Sequence, residues 1–424
     1  MENGYFEKEI LPGGVSPASP PPAVTDSLVL VHYMPWFRGP GNQSEEADSG
    51  SYGIHWGKFA HQTRNDGSGK ADTRNGSSSL LHAQYPLTGP YHSSNPALLD
   101  YQVSLLLIAG IDGVIFDWYG AYPANDFGEN QGYTIAMANA LMKAGLQFSV
   151  MYEDNTLNMM DLKSAGDLPE ALRRGKISFD WLESGWFHQP LYIKYDNRPV
   201  VFCFGPQRFM TKASWDTLFE GLANRPYFVD EDNKTNFADA SFPWPPMHLR
   251  NAENIVTLDK LQTYLNSFYA AKPKRTFKVT SVFSAFDSVY GKILYNDGEV
   301  LEYTWDKAVN TEGFMPGIIQ LVTWNDFGEA TCFEPSIERG YKDLEFIQEK
   351  MKAKKNLPYT KEDLRWPLEF YKLRYTQTAT AGQEAAIAAA TNALIAGNAE
   401  LYREKAAETG AVIDINDLKP LLRN

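Results

Sequence analysis

The sequence predicts a (β/α)8 barrel, and three observations support this fold class. Eight short apolar runs rich in β-branched residues have the pattern of buried strands, and segments with helical periodicity separate most of them. No glycine-rich phosphate loop follows the first run, as it would in many open nucleotide-binding sheets. The chain has 424 residues, 43% of them hydrophobic, which suits one large barrel with long loops. Two ordinary domains, or an open doubly wound sheet, are the alternatives that length and pattern leave open.

The eight predicted strands share a run of apolar residues that ends in polar or aromatic ones. They cover residues 28–34, 113–119, 146–152, 199–205, 226–231, 237–242, 277–283 and 317–324. Continuous apolar runs of this kind are typical of parallel strands that are buried on both faces. In a (β/α)8 barrel the carboxyl ends of all the strands meet on one face, where ligands bind.

Seven amphipathic segments are predicted as the helices between and after these strands. They cover residues 95–110, 132–145, 178–187, 214–223, 258–271, 299–309 and 341–355. Start and stop signals support them: Asn95 precedes Pro96, and Gly110 and Gly145 follow the last apolar turn of their helices. No helix clearly follows the fifth strand.

The chain divides into three predicted parts. Residues 1–27, which include "SPASPPP", form an extended N-terminal leader; residues 28–357 form the barrel; and residues 358–424 form helices that pack on the outside of the barrel. The first βα loop, residues 39–90, is much longer than usual, and loops of that length often serve a function. Its aromatic residues, in "YGIHWGKF" and "YPLTGPYHSSNP", are therefore candidates to face a ligand.

Composition excludes several classes of partner. The formal net charge is −13 without a cluster of Lys or Arg, which argues against nucleic acid because phosphate binding needs a basic face. No apolar run is long enough to cross a bilayer.

The two cysteines, Cys203 and Cys332, are predicted to be buried thiols. The N-terminus shows neither a basic start nor an apolar core of a signal peptide.

Residues just past the predicted strands combine acids with aromatic side chains and almost no cations. They are Tyr33, Pro35, Trp36, Asp117, Trp118, Tyr119, Tyr152, Glu153, Asp154, Phe286, Asp287, Trp324, Asn325, Asp326 and Glu329. A pyranose has apolar faces that pack on aromatic rings and hydroxyls that bind carboxylates and amides, so this mixture favours a neutral sugar. The acids at 230–232 are more simply explained as a solvated turn.

Asp326 and Glu329 lie three residues apart in "TWNDFGEATCFEP", where the eighth strand ends. Glycoside cleavage needs one acid to protonate the departing oxygen and one carboxylate to assist attack, and this pair is the obvious candidate. An acid at a strand end can also be an ordinary cap of the next helix. Other chemistries lack their motifs: there is no HExxH or GxSxG, and His55 and His61 match no usual metal spacing. We therefore expect no metal and no cofactor.

Three ordered motifs resemble those of glycoside hydrolase families 71 and 99. "VHYMPWF" with "YGIHWG" is similar to the "YYPWY … HW" opening of the family 99 endo-α-mannosidases. "YPLTGPYHSSNPALLDYQVSLLLIAGIDGVIFDWYG" resembles that family's stretch from "LGPY" through a helix to "AGID" and a strand ending in Trp. "TWNDFGEATCFEP" resembles "WNEWHEGTQIEP" in family 99 and "TWNDYGES" in family 71.

The resemblance implies a barrel that cleaves α-linked polysaccharide, α-mannan or α-glucan, at internal linkages without a cofactor. By position, Glu329 matches the general acid, and Asp326 matches the residue that acts as base toward water or the sugar's 2-hydroxyl. Family 99 has Glu at the second position and the inverting family 71 enzymes have Asp, so the resemblance leaves stereochemistry open. The histidine of the family's "HEG" is Gly328 here. The expected sugar-binding residues are Tyr33, Trp36, His55, Trp56, Tyr91, Asp117, Trp118, Tyr152, Glu153, Asp154, Trp324 and Asn325.

Two other functions would use the same residues. A non-catalytic glycan-binding barrel of a carbohydrate uptake system would need the aromatic and polar contacts but not both acids. Glycosyl transfer to an acceptor sugar would use the same residues, both acids included, and would give products larger than the substrate. The substrate class favours a secreted or periplasmic location.

Overall fold

The computed structural model describes residues 27–39, 53–57, 84–271, 277–287, 293–294, 298–311, 316–376 and 378–413, and eight parallel strands form its centre. The barrel strands are β1 Leu28–Tyr33, β2 Gly113–Trp118, β3 Gln147–Tyr152, β4 Arg198–Cys203, β5 Tyr227–Glu231, β6 Ala240–Phe242, β7 Val279–Phe283 and β8 Ile318–Val322. All eight coincide with the predicted runs. The predicted leader lies outside the described residues except for Ser27, as does most of the long first loop.

The strands follow the order β6-β5-β4-β3-β2-β1-β8-β7 in one sheet. The register Leu28↔Ile318 joins β1 to β8, and the edge strands β6 and β7 lie side by side, so the barrel is nearly closed. A short antiparallel strand, Lys194–Tyr195, pairs with β4. This topology confirms the predicted (β/α)8 fold class.

Helices lie between the strands and cover the outside of the sheet. They are α1 Pro96–Ala109, α2 Phe127–Lys143, α3 Leu168–Ser184, α4 Lys212–Phe219, α5 Leu258–Ala270, α6 Glu299–Asn310 and α7 Lys342–Lys355. The first begins as its sequence predicts, because the Asn95 side chain accepts hydrogen bonds from the Ala97 and Leu98 amides and Gly110 ends it at φ 74°. A loop without a described helix joins β5 to β6, as the sequence predicts.

In the described part of the chain after residue 357, three further α-helices follow the barrel: α8 Trp366–Tyr375, α9 Ala381–Ile395 and α10 Ala399–Glu408. Both α8 and α9 pack against α1, and an ion pair of 2.6 Å joins Arg374 to Asp100 on that helix. The division of the chain at residue 358 stays a prediction.

Alternate residues of each strand point to opposite faces of the sheet and form two apolar clusters. The interior of the barrel is filled by one set, which includes Leu30, Ile115, Met151, Val200, Val229, Ala240, Val279 and Ile318. The other set packs against the helices and includes Val31, Phe116, Val150, Val201, Phe228, Val282 and Leu321. This alternation decides which polar residues at the strand ends face the barrel interior.

Candidate active site

Four polar residues occupy interior positions at the carboxyl ends of their strands. His32 alternates with the interior residue Leu30, Asp117 with Ile115, Glu153 with Met151, and Glu231 with Val229. Continued past the strand ends, the register of β4 with β3 and β5 places Phe204 between Glu153 and Glu231, and the Glu231 amide donates to the Gly205 carbonyl at 3.0 Å. Phe204 packs edge-on against Trp244, and the charge of Glu231 still contributes to the raised pKa of Glu153.

Asp326 and Glu329 lie in the loop that follows β8, which folds back on itself. The Thr323 amide donates to the Thr331 carbonyl at 2.8 Å, and the Phe333 amide donates to the Thr323 carbonyl at 2.9 Å. Within this loop the Asp326 amide donates to Thr323 Oγ1 at 3.0 Å, and the Glu329 amide donates to Asp326 Oδ1 at 2.9 Å. Asp326 is 7% exposed and Glu329 is half-buried. The two acids are therefore held in one tight loop.

Charge interactions show that the acids of β2, β3 and the β8 loop share one environment. Burial raises the pKa of Asp117 well above its usual range, and the charges of Glu153, Asp326 and Glu329 raise it further. Asp117 is 3% exposed, and its Oδ1 atom has no hydrogen-bond partner among the described residues. Four predicted site residues, Asp117, Glu153, Asp326 and Glu329, therefore lie close enough for the charges of the other three to raise the pKa of Asp117.

The carboxyl groups of this cluster differ in how strongly they are held neutral. Burial raises the pKa of Glu153 to about 8, with the charges of Asp154, Glu231 and Asp326 adding to it. Burial raises the pKa of Asp326 to about 6, against the backbone amides of Glu329 and Gly328, which stabilise the charged form. Near neutral pH the site therefore combines an ionised Asp326 with a protonated Glu153.

An aromatic wall borders the acidic cluster. Trp36 is partly exposed and stacks on His55, with ring centroids 4.3 Å apart and an interplanar angle of 7°. Tyr119 lies 5.8 Å from Trp36, and both line a small pocket that also contains Asp117. His55 Nε2 lies 3.3 Å from Asp126 Oδ2, which fixes the ring. Partly exposed aromatic rings beside carboxyl groups suit the two kinds of surface of a sugar.

Four other predicted binding residues are buried behind this surface. Trp56 donates through Nε1 to the Tyr91 carbonyl at 2.8 Å and stacks on Phe327. Trp324 is fully buried, and Asn325 is bound on both sides of the Met34 backbone, accepting from its amide at 2.8 Å and donating to its carbonyl at 2.9 Å. These side chains support the loops that carry the exposed residues.

Tyr33, Trp118 and Tyr152 lie on the outer face of the sheet, away from the acidic cluster. The Tyr33 hydroxyl donates to Gln102 Oε1 on α1 at 2.8 Å, and Trp118 Nε1 donates to Gln131 Oε1 on α2 at 2.5 Å. The Tyr152 ring packs edge-on against aromatic rings of the helix layer. The alternation of the strands places them there, so we do not include these three in the proposed binding surface.

Asp154 is fully buried and holds the loop that follows β4. Its two carboxylate oxygens accept hydrogen bonds from the amides of Gln207, Arg208 and Phe209, at 2.8, 2.8 and 2.7 Å. A carboxylate with three backbone donors is committed to that loop. Its predicted contact with sugar stays a prediction.

Replacement of Asp154 by alanine is expected to lower the free energy of unfolding by about 1–3 kcal/mol, because the buried Phe209 amide loses its acceptor, whereas water can reach the amides of Gln207 and Arg208. Urea denaturation measures this. Asp180 is a matched control, because it is exposed on α3 and its ion pair with Lys176 is a surface one. An Asp154→Ala protein with the stability of Asp180→Ala would contradict the assigned role.

The interpretation of residues 230–232 as a solvated turn is wrong. Asp230 is fully buried and accepts a hydrogen bond from the Thr235 amide at 2.6 Å, and Glu231 is 8% exposed in an ion pair of 2.6 Å with Lys234. Asp232 is hydrogen-bonded to the Tyr264 hydroxyl. Glu231 and His32 are interior residues that a reading of strand alternation in "PYFVDE" and "LVLVHYM" would have identified.

The described residues contain no group of three or more His, Cys, Asp or Glu side chains arranged to hold a metal ion. Cys203 and Cys332 are both buried free thiols. Within the described ranges, none of the helices combines the length and apolar character that a membrane crossing requires.

These features define a (β/α)8 barrel whose carboxyl end carries a cluster of acids beside aromatic rings. No family model matches the chain, and no curated protein sequence matches it. Solved structures do share its fold. A GH99 endo-α-mannosidase from Bacteroides thetaiotaomicron is 16% identical, with 82% of this chain and 99% of that chain covered and a TM-score of 0.55.

Two more structures support the same fold assignment. The GH99 endo-α-mannosidase from that organism in complex with Bis-Tris propane gives a TM-score of 0.53 at 15% identity, with 78% of this chain and 99% of that chain covered. A glycoside hydrolase-like protein gives a TM-score of 0.50 at 13% identity, with 65% and 91% covered. The chain thus has the fold of the GH99 structures, which confirms at the level of fold the resemblance that the motifs indicate.

Proposed function

We propose that this protein is a glycoside hydrolase that cleaves α-linked polysaccharide, α-mannan or α-glucan, at internal linkages. The observation that carries the proposal is the environment shared by Asp117, Glu153, Asp326 and Glu329 at the carboxyl end of the barrel. The fold shared with GH99 endo-α-mannosidase structures and the three sequence motifs point in the same direction.

Glu329 acts as the general acid in this proposal. It is the more exposed of the two acids in the β8 loop, so its carboxyl group can reach a substrate that enters from solvent. In its protonated form it donates its proton to the glycosidic oxygen while the bond from that oxygen to the anomeric carbon breaks. The leaving sugar then departs as an alcohol.

Asp326 acts as the general base. With a pKa raised to about 6, it is ionised at neutral pH, whereas Glu153 with a pKa of about 8 is mainly protonated. Asp326 takes a proton either from a water that attacks the anomeric carbon or from the 2-hydroxyl of the sugar. The first route inverts the anomeric configuration, and the second retains it through a 1,2-anhydro intermediate. NMR of the first-formed product distinguishes them.

The sugar contacts proposed from the site are Trp36 with His55 as an aromatic surface, and Asp117 with Glu153 as hydrogen-bonding groups. Protonated Asp117 and Glu153 can donate to sugar hydroxyls as well as accept from them, which an ionised pair could not do. Tyr91, Trp56, Trp324 and Asn325 hold this surface in place.

The direct experiment incubates the purified protein with α-mannans and α-glucans and sizes the products over time. Internal cleavage gives oligosaccharides of intermediate length early, whereas cleavage from the ends gives monosaccharide or disaccharide from the start. Products larger than the substrate would instead indicate transfer to an acceptor sugar. Binding without any new reducing ends would reject hydrolysis and favour the glycan-binding barrel.

The rate constant kcat/KM is expected to rise with pH through an apparent pKa near 6, because the base must be ionised and the pKa of Asp326 is raised to about 6. Below that pH Asp326 is protonated and the rate falls tenfold for each pH unit. Initial rates on one polysaccharide from pH 4 to pH 9 measure the curve. A rate that stays constant down to pH 4 would contradict a role for Asp326 as base.

A further inference from the structure

A buried carboxyl group, Glu334, lies near the end of the β8 loop, five residues after Glu329, and the proposed chemistry does not use it. It is 2% exposed, and its amide donates to the Trp324 carbonyl at 2.8 Å, opposite the start of the β8 loop. Its side chain points away from that loop's own backbone toward the first βα loop and α1. A carboxyl group buried at this position costs free energy unless its contacts compensate for it.

Two side-chain donors meet the same oxygen of Glu334. The Tyr91 hydroxyl donates to Oε2 at 3.0 Å, and Gln102 Nε2 on α1 donates to Oε2 at 3.0 Å. Gln102 is in turn oriented by the Tyr33 hydroxyl, which donates to its Oε1 at 2.8 Å. The Oε1 atom of Glu334 has no hydrogen-bond partner among the described residues. The orientation of Tyr91 therefore depends on Glu334 Oε2.

Tyr91 transmits this orientation to the residue next to Asp326. Asn325 Nδ2 donates to the Tyr91 hydroxyl at 3.0 Å. The same side-chain amide also donates to the Met34 carbonyl and accepts from the Met34 backbone amide, just past the end of β1. The Tyr91 hydroxyl thus accepts from Asn325 while it donates its own proton to Glu334. This gives a continuous path of hydrogen bonds from Glu334 through Tyr91 to Asn325, whose backbone continues directly into Asp326.

Backbone contacts run parallel to this path. The amides of Gln84 and Leu87 donate to the carbonyls of Phe327 and Pro335, at 3.3 and 3.1 Å. The end of the first βα loop thus lies along the β8 loop on both sides of Glu329. Glu334 and Tyr91 fix the relative position of these two segments.

We propose that Glu334 is a positioning residue, which sets the orientation of Asp326 through Tyr91 and Asn325; this inference rests on the proposed function. Burial raises the pKa of Glu334 to about 8, against the hydrogen bonds from Tyr91 and Gln102. The group is therefore mainly neutral at pH 6–7. A glutamine, which presents one acceptor oxygen and one unused donor group, can reproduce that state.

The test compares Glu334→Leu, Glu334→Gln and Tyr91→Phe. Leucine removes the carboxyl oxygen that accepts from both Tyr91 and Gln102, and phenylalanine removes the link to Asn325 but keeps the ring. Both are expected to lower kcat about 10- to 100-fold with KM changed less than about threefold, because the base is misplaced while the sugar surface is intact. Glutamine is expected to restore kcat to within about threefold of the wild type. The surface variant Glu349→Gln is the matched control for loss of a charge.

Hydrogen exchange of the 323–335 segment supplies a readout that does not depend on activity. Exchange there is expected to be faster in Glu334→Leu and Tyr91→Phe, and unchanged in Glu334→Gln. An unchanged kcat in Glu334→Leu, or a lower kcat in Glu334→Leu with a wild-type Tyr91→Phe, would overturn the inference. If the wild type cleaves no α-glycan, the proposed function fails, and the exchange result alone then decides whether Glu334 orders the loop.

Discussion

Replacement of Glu329 by glutamine is expected to lower kcat on polysaccharide by about 10²- to 10⁴-fold, the usual contribution of a general acid. Glutamine has the shape of glutamic acid but cannot donate a proton to the glycosidic oxygen. The Glu329 amide, which donates to Asp326 Oδ1, belongs to the backbone and is unaffected. The loop therefore keeps its conformation, and the loss can be assigned to chemistry rather than folding.

The nature of the leaving group makes this prediction specific. A nitrophenyl α-glycoside releases a weakly basic phenolate that needs little protonation, so Glu329→Gln is expected to lose much less activity on such a substrate than on polysaccharide. Glu349→Gln, a change of an exposed acid on α7, is the control for a change of charge alone. Equal losses on both substrates would show that Glu329 is not the acid.

The strands of this barrel could be predicted because parallel strands buried on both faces are short continuous apolar runs, and segments with helical periodicity separate most of them here. The division of the C-terminal region into separate helices could not be predicted from its pattern. Residues 382–408 show one helical pattern, whereas the structure has two helices there, separated at Gly397, with φ 70°, and at Asn398, whose side chain caps the Leu401 amide. The two residues Gly397 and Asn398 end one helix and begin the next, but the alanine-rich sequence on both sides favours helix throughout.

For the candidate site, the sequence indicates where the acids lie along the chain but not which groups their side chains contact. The position of Asp326 and Glu329 after the last strand follows from the pattern alone. The direction of a side chain depends on strand alternation, which separates Asp117 from Trp118 and places Tyr33 on the helix side. The partners of Glu334 come from the first βα loop and α1, more than 200 residues away, and no local pattern indicates them.

Replacement of Asp326 by asparagine is expected to lower kcat by about 10²- to 10⁴-fold, as for Glu329→Gln. Unlike Glu329→Gln, this variant should not recover activity on an activated substrate. A better leaving group does not supply the missing base, because attack by water or by the 2-hydroxyl still requires a group that accepts the proton. This contrast between leaving groups separates the two roles within one loop. Recovery of Asp326→Asn on a nitrophenyl glycoside would reverse the assignments of acid and base.

The same substitution has an expected effect on stability that works in the opposite direction. Because the pKa of Asp326 in the folded protein is raised to about 6, ionisation of this group destabilises the folded state at higher pH and has no effect below about pH 4. Asp326→Asn removes that cost, while the Oδ1 atom can still accept from the Glu329 amide. At pH 7 the variant should therefore be more stable than the wild type, by on the order of 2–3 kcal/mol.

Thermal and urea unfolding at pH 4 and pH 7 measure this difference, which should vanish at the lower pH. An inactive variant that is also more stable is what a base held in a buried, unfavourable environment predicts, since such a group is retained for its chemistry rather than for the fold. A variant that is inactive and less stable at pH 7 would show that Asp326 mainly stabilises the β8 loop. The loss of activity would then not support its assignment as the general base.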